Sequence, residues 1–365
     1  MQRGVAPDRP DHPDHRGMPT LGVLLLVAAL VAGVVAAVVP APLATSTRPG
    51  AAAVTAMTVH LGSTPEVPDA SPVAATVAYP RRTWGVTLPD LPGDTSGLTA
   101  LERSTGQRPG VVMWYVAWSL RAGFPTSDAE RIRRAGAIPE ITWEPWDPAA
   151  GTSQPDYALA RIARGDYDAY LNAWARAIAA WGHPLRLRLA QEMNGTWYPW
   201  ADGQNGNAPG SFVRAWNHVV SVFRANHATR VTWVWSPNVP FPGSAPLSRV
   251  FPGDANVGEV ALDGYNWSTL QPGSEWTSFA TVFGPGMAQL ARLSRRPVSI
   301  GEVGCPETGG NKAAWTAAMW RTLRTWRQVR GVMFFSFDKE ADWRVDSTPA
   351  AGAAFARGVG AYLRH

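Results

Sequence analysis

Short apolar runs with the composition of β-strands recur along the C-terminal three quarters of the chain. They are rich in Val, Ile, Trp and Phe and are bounded by Gly, Pro, Asp or Asn, as strands commonly are. The runs lie at 83–88, 111–117, 137–143, 185–191, 230–235, 259–264, 297–302 and 331–337. This pattern predicts eight strands between residue 83 and the end of the chain.

Stretches with the period of amphipathic helices separate many of these runs. They lie at Asp128–Ala135, Tyr167–Trp181, Ser211–Ala225, Phe279–Leu293 and Lys312–Val329. The helical signal is weakest in the first and the sixth units. Strands alternating with helices predict an α/β protein with a single (β/α)8 TIM barrel, because parallel strands need a crossover between them. A doubly wound open sheet is the alternative, but no Gly-rich dinucleotide loop follows the first strand.

The first 80 residues have a different pattern. Residues 1–20 are polar and Pro-rich, and an uncharged apolar stretch follows at 21–39. This stretch matches the length of about 20 residues that a transmembrane helix needs. The Arg residues before it favour a cytoplasmic N-terminus, and its length favours a membrane anchor over a cleaved signal segment. Its extreme N-terminal position and its disordered-looking flanks disfavour a buried core helix. Residues 40–80, rich in Ala, Pro, Ser and Thr, predict a linker.

Both the anchor and the signal interpretation export the barrel domain, residues 81–365. We therefore expect it at the cell surface, tethered to the membrane, or secreted if the segment is cleaved. The net charge of +5 comes from 33 basic and 28 acidic residues without a run of five basic residues. A nucleic-acid partner needs clustered charge and is not predicted.

Cysteine and histidine usage limits the chemistry. The single cysteine, Cys305, excludes an intramolecular disulfide and a cysteine-based metal cluster. The seven His residues show no metal-ligand spacing, which leaves carboxylate-bound calcium as the one open metal option. We predict no cofactor, no metal and a monomer. The 18 Trp residues are an excess that packing alone does not explain.

Acidic residues recur where the predicted strands end, which is the face of a (β/α)8 barrel that carries active sites. These acids are Glu144, Glu192, Asp263, Glu302 and Asp338. Two acids among aromatic rings suit glycoside hydrolysis: one protonates the leaving oxygen, the other meets the anomeric carbon, and the rings cover sugar C–H faces. Glu192 and Glu302, on strands four and seven, can face each other across the barrel.

Four segments, in this order, resemble one known family. They are LRLAQEMNGTWYPW at 187–200, DGYNW at 263–267, SIGEVG at 299–304 and DKEADWRVDS at 338–347. Together they resemble glycoside hydrolase family 26, which contains mostly endo-β-1,4-mannanases, with some β-1,3-1,4-glucanases and β-1,3-xylanases. The resemblance covers the barrel and implies a retaining enzyme.

The resemblance also implies roles for individual residues. The family's acid/base on strand four falls on Glu192, and its nucleophile on strand seven falls on Glu302. Tyr265 matches the tyrosine that partners the nucleophile, and its hydroxyl is expected to stabilise the ionised Glu302. Such a pair has carboxyl groups about 5 to 5.5 Å apart. Burial against the neighbouring rings is expected to raise the pKa of Glu192, which keeps it protonated near neutral pH.

Further residues in these segments and at strand ends are candidate substrate-binding residues. They are Gln191, Asn194, Trp197, Trp200, Trp143, Glu144, Trp267, Phe335, Phe337 and Trp343. Trp143 and Glu144 fit a hydrophobic corner of the barrel equally well. Asp263 is expected to bond backbone amides, and Asp342 is expected to pair with Arg344.

The remaining Trp residues at helical spacing are predicted to pack between the helices and the barrel. They are Trp174, Trp181, Trp216, Trp315, Trp320 and Trp326. Cys305 is expected to be a small buried apolar residue rather than a redox group.

Two departures from the family pattern leave the substrate open. Gln191 stands where the family usually has His, and strand eight carries Phe335 and Phe337 where a Trp is frequent. The expected function is hydrolysis of β-1,4-mannan or a related β-glucan or xylan, with a polysaccharide or oligosaccharide as the partner. Because Gln191 cannot titrate, a carbohydrate-binding or polysaccharide-export accessory protein with little turnover is the alternative.

Overall fold

The computed structural model describes residues 81–364. Within this range eight parallel strands close into a barrel in sequence order, with the first strand hydrogen-bonded to the eighth. The predicted (β/α)8 TIM barrel is confirmed, and the open sheet is excluded. The cytoplasmic segment, apolar stretch and linker expected at 1–20, 21–39 and 40–80 lie outside the described residues. None of the helices formed by residues 81–364 has the length and apolar character to cross a membrane.

Every strand overlaps the apolar run that predicted it. The strands are β1 (Thr83–Thr87), β2 (Val111–Ala117), β3 (Ile138–Glu144), β4 (Leu185–Leu189), β5 (Val231–Trp235), β6 (Glu259–Tyr265), β7 (Val298–Gly304) and β8 (Val329–Phe335). The helices are α1 (Ser96–Thr105), α2 (Thr126–Arg134), α3 (Leu159–Ala163), α4 (Asp168–Trp181), α5 (Ser211–Ala225), α6 (Leu247–Val250), α7 (Phe279–Leu293), α8 (Lys312–Thr325) and α9 (Pro349–Leu363).

The predicted helices are confirmed as α2, α4, α5, α7 and α8. The short crossover follows β5 rather than β6, because α6 has four residues whereas α7 has fifteen. Helices as short as α3 and α6 span too few residues to reveal a helical period in the sequence. The first unit, which also has a weak signal, contains the ten-residue α1.

Side chains alternate between the two faces of each strand, so the sequence LRLRL of β4 sends its arginines into the barrel. Arg186 donates to Glu140 and, at 2.6 and 2.9 Å, to Glu259. These ion pairs form a charged layer near the N-terminal ends of the strands. Buried ion pairs stabilise a fold only when each charge is matched, and this layer meets the condition for Arg186.

The opposite faces of the strands pack against the helices through large apolar side chains. Trp174, Trp216, Trp315 and Trp320 are buried there, and Trp181 and Trp326 pack against the same core while partly exposed. The core role predicted for these residues is confirmed. Cys305 is buried too, and burial raises the pKa of its thiol to about 12, which confirms it as an unreactive core residue.

Candidate active site

A cavity of about 420 Å³ opens at the C-terminal ends of the strands. Both motif acids and most of the nearby aromatic rings face it. Its lining consists of Tyr115, Glu192, Trp197, Tyr198, Asn238, Val239, Phe241, Tyr265, Trp267, Gln271, Glu302, Phe335, Phe337, Lys339, Glu340 and Trp343. The volume lies within the range of small-molecule sites, and its walls combine apolar rings with a few polar groups.

Glu192 lies in a tightly constrained loop just after β4. Ala190 and Glu192 both adopt the left-handed conformation, with φ of 48° and 54°, which is uncommon for residues with a Cβ. The backbone N–H of Glu192 donates to the carbonyl of Ser236 at 2.7 Å, which ties this loop to the end of β5. Such strain concentrates at functional sites, where surrounding contacts hold it in place.

Two side chains hold the Glu192 carboxyl group. Trp197 Nε1 donates to Oε2 at 2.7 Å, and Asn238 Nδ2 donates to Oε1 at 2.7 Å. Burial raises the pKa of Glu192 to about 7, with the charge of Glu302 as the second cause, while the bonds from Asn238 and Trp197 oppose the rise. The group is therefore an acid that is largely protonated below neutral pH.

Glu302 accepts three hydrogen bonds from three different strands. Tyr115 donates to Oε1 at 2.8 Å, Tyr265 donates to Oε2 at 2.5 Å, and the Arg188 guanidinium also donates to Oε1. The expected contact between Tyr265 and Glu302 is therefore present. Burial, followed by the nearby Glu302 charge, raises the pKa values of Tyr115 and Tyr265 well above their usual range, so both hydroxyls keep their protons.

A bulge in β7 turns Glu302 into the barrel. The pairing register of β7 shifts beside β8 between Ile300 and Val303. A Cβ at Gly301 would lie 2.3 Å from Asp263 Oδ1, so this residue also faces the interior and only glycine fits. Two consecutive residues thus share one face, which a regular strand does not allow.

Arg188 is the central cation of the site. It lies fully buried in β4 and donates to Asp263 at 2.9 Å, to Thr142 at 2.8 Å and to Glu302. Asp263 Oδ1 also accepts from Ser236 at 2.7 Å. The expectation that Asp263 bonds backbone amides is therefore wrong: its carboxylate is the counter-ion of an inward-facing arginine.

The aromatic rings line the cavity wall in three groups. Trp197 and Phe241 are stacked with centroids 5.6 Å apart, and Phe335 and Phe337 are stacked at 4.4 Å. A third group contains Tyr265, Trp267 and Trp343, with neighbouring centroids 5.1 to 5.7 Å apart. Trp197, Trp267, Phe335 and Phe337 therefore lie where the sequence analysis expected sugar-facing rings, whereas Trp343 borders the cavity but is almost completely buried.

Three candidate residues lie beneath the cavity or behind its wall. Asn194 joins two loops, donating to the Asn238 carbonyl and accepting from the Asn238 N–H, each at 2.9 Å. Trp200 is fully buried behind Tyr198, with their rings stacked at 4.3 Å. Trp143 packs on Trp174 in the helix layer at 4.5 Å. Their assignment to substrate contact is corrected, because neighbouring side chains cover them.

Gln191 and Glu144 are also buried and absent from the cavity lining. Gln191 Nε2 donates to Glu144 Oε1 at 2.7 Å, so the two side chains pair with each other below the loop that carries Glu192. The expected contact of Gln191 and Glu144 with sugar is corrected by this burial. The expected pair between Asp342 and Arg344 is present at 2.5 Å.

Sequence reasoning missed several residues that contact the two acids. Arg188, Tyr115 and Asn238 all bond one of the carboxyl groups, and Phe241 adds a ring to the wall. A signal existed for Arg188, since LRLRL places two arginines on one strand face. Among residues 81–364 no group of three His, Cys, Asp or Glu side chains is arranged to hold a metal ion.

A closed barrel with buried acids at the ends of β4 and β7, inside an aromatic cavity, defines a glycoside hydrolase. The model of glycosyl hydrolase family 26 matches residues 123–318, more than half of the chain, and the chain belongs to this family.

Endoglucanase H of Acetivibrio thermocellus is 35% identical over 271 residues, which cover 73% of this chain. The chain spans 29% of the length of that protein. A modular endo-β-1,4-mannanase from Cellulomonas fimi is 18% identical, covers 80% of this chain and 75% of its own, and superimposes with a TM-score of 0.60. The catalytic domain of the Bacillus sp. JAMB-750 endo-β-1,4-mannanase is 16% identical, and the match covers 78% of this chain and 86% of that domain with a TM-score of 0.57. At these identities the two solved structures demonstrate a shared fold.

Proposed function

We propose that this protein is a retaining β-glycan hydrolase in which Glu302 is the nucleophile and Glu192 is the acid/base. The main support is that both carboxyl groups line the same cavity but have different hydrogen-bond partners. Glu302 accepts hydrogen bonds from a guanidinium and two hydroxyls, which fix the orientation of its carboxylate. Glu192 is buried with a pKa of about 7, which favours the neutral form. Double displacement requires one acid oriented as a nucleophile and a second acid that can carry a proton.

In the first step, Glu302 attacks the anomeric carbon while Glu192 transfers its proton to the departing glycosidic oxygen. The products are a glycosyl ester on Glu302 and an ionised Glu192. In the second step, Glu192 takes a proton from water as the water oxygen attacks the anomeric carbon, which releases Glu302 and the sugar. Asn238 and Trp197 donate to Glu192, so they would stabilise its ionised form between the steps.

The substrate class we propose is a β-glucan, with β-1,4-mannan and β-xylan as the alternatives. The support is the 35% identity to a protein named Endoglucanase H, which exceeds the 16 and 18% identities to the two mannanases. Stacked rings in the cavity fit the flat faces of pyranose units. Product analysis on mixed-linkage β-glucan, mannan and β-1,3-xylan would rank the three substrates and separate endo from exo cleavage.

Glu302→Ala tests the mechanism. It should abolish release of reducing ends and leave the fold intact, while Glu275→Ala, on an exposed loop, should behave as wild type. Proton NMR of the first products should show retained anomeric configuration. Inverted products, or full activity of Glu302→Ala, would refute the proposal.

The alternative of a binding protein with little turnover rested on Gln191. That side chain is buried against Glu144, so its replacement of His removes no group from the cavity wall. We favour the enzyme for this reason. We further propose that the barrel is exported, which the apolar stretch at 21–39 supports, and that it is a monomer. Fractionation of the native host and size-exclusion chromatography of the barrel would test these two points.

A further inference from the structure

Gln191 and Glu144 form a buried polar pair next to the loop that carries Glu192. Both are almost completely buried, at 1% and 0% exposure, and Gln191 Nε2 donates to Glu144 Oε1 at 2.7 Å. The backbone carbonyl of Gln191 accepts from Trp200 Nε1 at 2.7 Å. Gln191 immediately precedes Glu192, so this pair anchors the backbone that presents the proposed acid/base.

The other two oxygens of the pair have no hydrogen-bond partner. Glu144 Oε2 and Gln191 Oε1 are both buried acceptors in this position. Buried polar atoms almost always form hydrogen bonds. Because these two unbonded oxygens belong to side chains that already contact each other, one missing hydrogen bond between them would explain both. Two acceptor oxygens cannot bond each other, but a carboxylic acid can donate its proton to an amide oxygen.

We propose that Glu144 is a protonated positioning residue whose carboxylic acid pairs with the Gln191 amide through two hydrogen bonds. The first is Gln191 Nε2–H to Glu144 Oε1, and the second is Glu144 Oε2–H to Gln191 Oε1. The pair satisfies both orphan oxygens and fixes the side chain that precedes Glu192. Its catalytic consequence rests on the proposed function, whereas its protonation state does not.

The surroundings of Glu144 favour the neutral acid. The charged groups that face it are Arg188 from β4 and Glu302 from β7, and Arg188 already pairs with Glu302 and Asp263. Trp146 lies beside the carboxyl group, and its Nε1 is a third buried polar atom without a hydrogen-bond partner.

No cation is therefore dedicated to Glu144. Burial raises the pKa of Glu144 to about 7, with the donors Gln191 and Trp146 and the Arg188 charge opposing the rise. Tyr198 faces Gln191 from the cavity wall and keeps its proton, because burial raises its pKa well above the usual range.

The first test measures stability and needs no substrate. A carboxyl group whose pKa rises from 4.5 to about 7 on folding destabilises the protein increasingly as pH rises through that window. Glu144→Gln keeps an acceptor for Gln191 Nε2 and supplies a donor for Gln191 Oε1, but it cannot ionise. The Tm of wild type should therefore fall by several degrees more than that of Glu144→Gln between pH 5 and pH 8. Parallel curves would overturn the proposal even if the enzyme is active.

The second test measures turnover through the pair. Glu144→Ala removes both bonds and should lower kcat on the preferred β-glycan by about tenfold or more relative to Glu144→Gln, with a smaller change in KM. Gln191→Glu places two acids together and should also lower kcat, while the exchanged pair of Glu144→Gln with Gln191→Glu should restore it. Equal kcat values for Glu144→Ala and Glu144→Gln would overturn the positioning role. If Glu144→Ala does not fold, the kcat of the double variant Glu144→Gln with Gln191→Glu still tests the positioning role, and a kcat no higher than that of Gln191→Glu would overturn it.

Discussion

The hydroxyl of Tyr265, at the end of β6, donates a 2.5 Å hydrogen bond to Oε2 of Glu302 on the adjacent β7. The other oxygen of this carboxylate accepts from Tyr115 and Arg188. The carboxylate is therefore oriented from both sides, and its negative charge is shared among three donors. For a nucleophile this arrangement fixes the attacking oxygen, and the bond from Tyr265 must weaken as charge leaves the carboxylate.

Tyr265→Phe should lower kcat by about 10- to 100-fold, because it removes one charge-assisted bond worth about 1.5 to 3 kcal/mol. The ring remains, so packing against Trp267 and Trp343 should persist and KM should change little. Steady-state kinetics on β-glucan would measure the split. Tyr167→Phe, outside the cavity, is the matched control. An unchanged kcat would contradict the role of the Tyr265 hydroxyl.

The pKa of Glu192 predicts the alkaline side of the activity profile. An acid with a pKa of about 7 loses its proton above that pH, so kcat/KM should fall about tenfold per pH unit there. Asn238 donates to the carboxyl group and lowers its pKa. Asn238→Ala should therefore move the midpoint of the alkaline limb to higher pH. The pH dependence of kcat/KM would measure this.

The control for the pH experiment is Asn172→Ala on α4, which is remote from the cavity. Its profile should superimpose on that of wild type. A midpoint for Asn238→Ala at or below the wild-type value would contradict the assignment of the alkaline limb to Glu192.

The barrel could be predicted from the sequence because largely apolar, β-prone runs recur between turn residues, although β4 alternates Leu with Arg. Which face a strand residue occupies was a harder question. Along β3, Thr142 contacts the inward-facing Arg188, whereas Trp143 packs on the helix residue Trp174. Because neighbouring strand residues face opposite sides, an inward-facing Thr142 places Trp143 on the helix-facing side of β3, and this alternation could be read from the sequence.

The position of Glu302 could not be derived from alternation. In a regular strand Gly301 and Glu302 face opposite sides, yet both face the interior because the register of β7 shifts there. The resemblance to a family identified Glu302, whereas Tyr115 and Arg188 come from β2 and β4 and meet it only when the barrel closes. Contacts between side chains from distant strands leave no local pattern in the sequence.

Arg188→Met should destabilise the protein by about 3 to 5 kcal/mol at pH 7, because Asp263 and Glu302 would be left as buried carboxylates without their cation. Guanidinium unfolding would measure the loss. Arg103→Met, on the exposed face of α1, should stay within about 0.5 kcal/mol of wild type. A loss below about 1 kcal/mol would contradict the role of this ion-pair cluster.

Phe241 extends the ring of Trp197 along the cavity wall, and neither its backbone nor its ring bonds the two acids. If this pair supports a sugar unit, Phe241→Ala should weaken binding by about 2- to 10-fold, the range expected from one lost aromatic contact.

Calorimetric titration of a mixed-linkage β-glucan oligosaccharide into Glu302→Ala, with and without Phe241→Ala, would measure Kd in the absence of turnover. Leu120→Ala removes an apolar side chain that is 52% exposed and outside the cavity, so it should leave Kd unchanged. Equal Kd values for Glu302→Ala with and without Phe241→Ala would show that the sugar does not contact Phe241, and would favour binding against the rings of Phe335 and Phe337.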